Sequence, residues 1–62
     1  MYRALGEKYY SDRQYHLAVE QFSRVLEVAP GDAGAYEGLG RSHRELGEFN
    51  KAMEAFEKGI AL

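Results

Sequence analysis

Cysteine and tryptophan are absent from this 62-residue chain, and proline occurs once. Without cysteine there is no disulfide and no thiolate metal site, so packing alone must hold the fold. Nothing in that count points to an oxidising compartment. An excess of one charge is missing as well: Lys+Arg 8 stand against Asp+Glu 10, a formal net of −2, with both signs scattered. Nucleic-acid binders carry a basic stripe, and none is present. No apolar run approaches the ~20 residues that a membrane span needs. The opening Met1-Tyr2-Arg3-Ala4-Leu5 lacks the pattern of a secretory leader, so a soluble intracellular location is the default expectation. A chain of 62 residues allows one small domain, 1–62. Domains of this size bury only roughly 60% of their unfolded surface.

What is present is repetition. The chain reads nearly the same twice at an offset of 34 residues: Tyr2 and Tyr36, Leu5-Gly6 and Leu39-Gly40, Ala18 and Ala52, Phe22 and Phe56. Tyr15 recurs as Phe49, Leu26 as Ile60, and Arg24-Val25 as Lys58-Gly59. A fixed period of this length marks stacked supersecondary units, each covering an apolar face that its neighbour cannot cover alone.

The spacing within each copy is helical. Tyr15, Ala18, Val19, Phe22, Val25, Leu26 and Ala29 fall at i, i+3, i+4, i+7, as do Phe49, Ala52, Met53, Phe56 and Ile60. Two further helices precede these, carried by Tyr2, Leu5, Gly6 and Tyr9, and by Tyr36, Leu39, Gly40, His43 and Leu46. Pro30-Gly31-Asp32 ends the second helix and offers Asp32 as N-cap of the third. Gly47 closes the third helix, and Ser11-Asp12-Arg13-Gln14 does the same work without glycine. Repeat one is expected at 1–32, with helices at about 1–11 and 15–29; repeat two is expected at 33–62, with helices at about 33–46 and 49–62. Connections this short set neighbouring helices antiparallel. Gly6, Gly40, Ala18 and Ala52 let backbones approach, with the rings of Phe22 and Phe56 filling the space beyond.

These residues at this period resemble the tetratricopeptide repeat: an aromatic, Leu-Gly and Tyr in the first helix, then Ala, Phe, Ala and a closing Pro. The first copy supplies Tyr2, Leu5-Gly6, Tyr9, Ala18, Phe22, Val25 and Pro30; the second supplies Tyr36, Leu39-Gly40, His43, Ala52, Phe56 and Gly59. The resemblance implies an all-α fold, two antiparallel helix-turn-helix repeats stacked as a short right-handed solenoid. Three features depart from the pattern. Val25 and Gly59 replace alanine, His43 replaces tyrosine, and two repeats stand where about three are usual. A buried neutral His43 is expected to destabilise the fold when protonated in mild acid. The missing cap suggests a piece of a longer array or a chain that associates, with Met53, Ile60 and Leu62 as its open apolar end.

In the resembled family, the first helix of each pair lines a concave, peptide-holding groove. The positions carried over are Arg3, Glu7, Tyr10 and Ser11, then Gly34, Glu37, Arg41, Arg44 and Glu45. Arg3 with Glu7 and Glu37 with Arg41 are i, i+4 pairs. Across the repeats, Arg3 is expected to face Glu37, and Glu7 to face Arg41. Such a pattern reads either as a self-satisfied lattice or as a polar lining for a peptide. Arg41, Arg44 and Tyr10 are the contact residues of choice, because arginine forks carboxylates and tyrosine presents apolar area with a polar tip. The subgroup that clamps the terminal carboxylate of heat-shock chaperones has asparagines where Glu7 and Arg41 stand, which argues against that use.

No catalytic or metal constellation is legible. His16 and His43 lack ligand spacing, and adjacent Ser42 and His43 point about 100° apart on a helix. Gly38-Leu39-Gly40 lacks the third glycine of a dinucleotide loop. The sequence therefore leads to a non-enzymatic module without cofactor or metal, whose partner is a protein or peptide. The rival reading is a homo-oligomer built through the apolar ends.

Overall fold

The computed structural model describes residues 1–62 as four helices with no strand: α1 (Tyr2–Ser11), α2 (Tyr15–Val28), α3 (Ala33–Glu45) and α4 (Phe49–Ala61). Each helix ends where its sequence withdraws support. Before α3, the Asp32 carboxylate accepts from the Ala35 N–H at 3.1 Å, the one side-chain cap among the four N-termini.

The two tight turns are built alike. After α3, Gly47 takes φ 78°, its N–H donates to Arg44 O, and the Glu48 N–H donates to His43 O at 2.8 Å. After α1, the same pair of bonds runs from Arg13 to Tyr10 O and from Gln14 to Tyr9 O. Both turns are the closing motif in which one residue must be left-handed. In the first repeat that residue is Arg13, at φ 64°. An L-residue with a Cβ adopts this conformation at a cost of roughly 1–2 kcal/mol, which glycine avoids.

α3 is the keystone. It packs extensively on α4 and α2 and touches α1 lightly, while the backbones of α2 and α4 make no close approach. The molecule is a slab of 28 × 26 × 13 Å, with the helix pairs α1/α2 and α3/α4 stacked through α3. The core under α3 consists of Ala18, Phe22, Val25 and Ala35, flanked by Tyr9, Tyr10, Leu26 and Leu39. Phe22, 1% exposed, lies between two glycines, Gly6 of its own pair and Gly38 of the next. A Cβ on Gly38 would lie 2.6 Å from ring carbon Cε1, so the close approach of α3 requires glycine there. Buried Ser42 is satisfied by donating to Gly38 O at 2.8 Å.

The repeated glycine–phenylalanine packing holds in the second pair too, where Gly40 faces the Phe56 ring. Burial does not repeat. Phe56 is only half-buried, and Ile60, the counterpart of Leu26, is 85% exposed. Nothing lies on α4 as α3 lies on α2.

Candidate partner-binding cleft

On α1, Arg3, Glu7, Tyr10 and Ser11 fall at i, i+4, i+7, i+8 and so share a face; on α3, Glu37 and Arg41 do the same, with Gly34 and Gly38 between the helices. Because α1 and α3 touch only lightly, these two faces splay to form an open cleft of about 340 Å³. Its lining is Arg3, Glu7, Tyr10, Ser11, Gly34, Glu37, Gly38 and Arg41, over a floor supplied by Phe22. Arg44 and Glu45 are exposed on the last turn of α3 and lie outside this lining. Arg44 is three residues on from Arg41, about 60° off its stripe, and Glu45 is the final helical residue.

The charges pair mostly along the helices, with one pair across them. Arg3 Nε lies 3.8 Å from Glu7 Oε2, and Arg41 Nη2 lies 3.4 Å from Glu37 Oε2. Neither Arg3–Glu37 nor Glu7–Arg41, the two pairs expected between repeats, forms. Arg3 turns instead to Asp32, with Nη1 3.5 Å from Oδ1. The reason is local: Asp32 is fixed at the head of α3 by its capping bond and lies within reach of Arg3, and Gly34 leaves room for the guanidinium. All these arginines and glutamates are about half exposed, so each pair contributes only ~0.2–1 kcal/mol. Tyr10 is held more firmly, half-buried and edge-on to Tyr15 with ring centroids 5.5 Å apart.

Behind α3, His43 is 9% exposed and its Nδ1 stands 2.7 Å from Glu48 Oε1. An ionised carboxylate can only accept, so the ring proton sits on Nδ1 and the imidazole donates. This bond is the main reason that the Glu48 carboxyl is held below its ordinary value of 4.5; desolvation opposes the shift, while Lys51, His43 and His16 add favourable charge. His43 is therefore a partnered side chain, not a buried imidazole without a hydrogen-bonding neighbour. Helical spacing pairs neither His43 nor His16 with Glu48, because the His43 bond spans the Leu46-Gly47 turn and His16 belongs to α2. The only legible signal was a histidine followed, across a glycine turn, by a glutamate.

Of the apolar-end residues, Met53 is 59%, Ile60 85% and Leu62 63% exposed. Ile60 lines a second cleft of about 430 Å³ at the end of the α3/α4 pair, together with Ala33, Gly34, Glu37, Phe56 and Gly59. Met53 and Leu62 do not line it; Leu62 is the residue that caps α4. No helix is long and apolar enough to cross a membrane.

Comparison with known proteins agrees with this architecture. Residues 33–62, the α3/α4 pair, match the family described as Tetratricopeptide repeat. Over 53 residues, 86% of this chain, it is 30% identical to anaphase-promoting complex subunit 3 of Dictyostelium discoideum. Over 59 residues, 95% of the chain, it is 29% identical to superkiller protein 3 of Schizosaccharomyces pombe. The chain spans 6% and 4% of the lengths of these two relatives. The second helix pair is thus a tetratricopeptide repeat by its match, and the first pair repeats its Tyr, Leu-Gly, Ala and Phe in register; members of that family serve in general as protein-interaction modules.

Proposed function

We propose that the chain holds an extended segment of a partner protein in the cleft between α1 and α3. The observation that carries this reading is the convergence of six side chains, Arg3, Glu7, Tyr10, Ser11, Glu37 and Arg41, on one open cleft. The ion pairs there are weak and exposed, so a ligand that offers charges of both signs can replace them at little cost. Arg41 would fork a ligand carboxylate, with Arg44 and Glu45 at the rim, and Tyr10 would supply an ordered aromatic surface. One relative is named as a subunit of a complex, which favours a role made of contacts.

A library of short random peptides selected on the immobilised chain tests this reading. The best binder is then titrated against wild type and the double variant Arg41→Glu, Arg44→Glu. Both positions are exposed, so the variant should keep its helicity and bind at least roughly tenfold more weakly, a loss of about 1.4 kcal/mol. Equal affinity in the folded double variant removes the cleft from the reading.

A second reading is favoured by a different observation, the exposed apolar stripe of α4. In it, the chain associates with itself through Met53, Ile60 and their neighbours, with Leu62 beside them.

A further inference from the structure

On the side of α3 turned away from the α1–α3 cleft lies a second furrow. Tyr36, Leu39 and His43 fall about half a turn round the helix from Glu37 and Arg41, so they share the opposite face. The backbones of α2 and α4 make no close approach over this face, and the small side chains of Ser23 and Ala55 keep its walls low. A cleft of about 400 Å³ is left, with half-buried Leu26, Tyr36 and Leu39 as its apolar surface. It is lined by α2, α3 and α4 and takes nothing from the outer stripe of Phe49, Met53, Phe56 and Ile60.

The two ends of this cleft differ. α3 and α4 run antiparallel, which sets His43 across from Lys51 and Tyr36 across from Lys58. A Cβ on Gly59 would lie 3.1 Å from Tyr36 Cβ, in keeping with that register. At the first end, His43 is 9% exposed and donates its Nδ1 proton to Glu48. Nε2 is then an acceptor; it has no partner within the chain and is not sealed from solvent. A nine-tenths buried imidazole thus offers the cleft an unmet acceptor.

The walls are net positive in a chain whose formal charge is −2. The lining residues of α2 carry no charge, while α4 brings Lys51 and Lys58 against Glu54. Glu54 stands 3.9 Å from Lys58, whereas Lys51 closes no ion pair, although its charge reaches Glu48.

We propose that this cleft takes a tyrosine side chain of a partner protein, flanked in that partner by acidic residues. The ring lies on Leu39 and Ala55, its O–H donates to His43 Nε2, and its oxygen accepts from Lys51. The flanking carboxylates lie along the basic wall of α4. Phenylalanine would leave Nε2 desolvated and unpaired, and tryptophan offers a donor but nothing for Lys51 to donate to. The site is separate from the α1–α3 cleft and shares only α3 with it.

Proton–nitrogen NMR of the isotope-labelled chain, reading backbone amides and histidine rings, tests this with three blocked tripeptides as probes. They are tyrosine between two glutamates, phenylalanine between two glutamates, and tyrosine between two lysines. The first should move the His43 ring and the amides of Ser23, Leu39 and Lys51. It should bind about fivefold more tightly than the second, the yield of one hydrogen bond to an otherwise unpaired acceptor. The third should bind most weakly, and Lys51→Glu, at an exposed position, should narrow or reverse its disadvantage. His43→Phe should erase the preference for tyrosine. Should that variant lose its helicity, Ser23→Phe, which fills the cleft from a half-buried position, should abolish binding. Shifts that gather on Arg3, Glu37 and Arg41 overturn the proposal, since the probe then sits in the α1–α3 cleft. Equal affinity for the first two probes overturns it as well, as does the absence of any shift at millimolar probe.

Discussion

Phe22 and Phe56 are the same residue, at the same register of equivalent helices, facing equivalent glycines, and they lead different lives. Phe22 is 1% exposed under α3, whereas Phe56 is half open. The helix pairs around them are built by the same local rules. What differs is the third layer: α1/α2 is covered by α3, and α3/α4 by nothing. In a repeat fold, stability comes from each unit and from each contact between neighbours. The chain has two units and one such contact, and Phe22 sits in that contact.

The largest expected effect comes from truncating the two rings in turn. Phe22→Ala should cost about 3–5 kcal/mol, enough to unfold a domain of this size. Phe56→Ala should cost about 1–2 kcal/mol, in proportion to its partial burial. Urea unfolding followed by circular dichroism measures both, and equal losses would break the comparison. Next comes Gly38→Ala. The added methyl collides with the Phe22 ring, and overpacking of this kind costs about 1–3 kcal/mol. Its counterpart Ala4 already carries that methyl without penalty because nothing faces it, so Ala4→Gly should bring no gain beyond a helix-propensity loss of about 1 kcal/mol.

A smaller pair sharpens the likeness of the turns. Arg13→Gly should stabilise by about 1 kcal/mol, since it places glycine at φ 64°, and Gly47→Ala should destabilise by about the same. Thermal melts of the two variants should move in opposite directions; a shared direction would mean that the turns are not equivalent. The smallest effect is in acid. The Glu48 carboxyl is depressed in the fold, so its contribution is present above the ordinary value of 4.5 and lost as pH falls through the folded value below it. Wild type should exceed Glu48→Gln in stability at neutral pH, and the two should converge in strong acid. A constant difference at all pH values would assign the effect to shape, not charge. The first repeat has Tyr9 and Gln14 at these places and should show no such titration.

Much of the fold was legible because it is local. The 3.6-residue spacing placed the four helices, Pro30-Gly31-Asp32 and Gly47 placed the breaks, and the Asp32 cap forms as its position implies. Arg13 was harder, since its left-handed turn is imposed by the hydrogen bonds to Tyr9 and Tyr10 against its own preference. The cleft was legible in part. Helical geometry alone puts Arg3 with Glu7 and Glu37 with Arg41, and both pairs are found. The pairing between repeats was not, because it depends on the offset of α1 from α3. That offset sends Arg3 to Asp32.

The sequence by itself determined where the helices lie and which residues share a helical face, since both follow from contacts within a few residues, and its 34-residue period showed that the unit occurs twice. Only the tertiary structure decided which copy of a matched pair is buried, which acid Arg3 meets, and that His43 donates to Glu48. Those outcomes depend on how closely, and at what offset, one helix lies on another, and repetition in sequence cannot carry that information when the neighbours at the two ends are not the same.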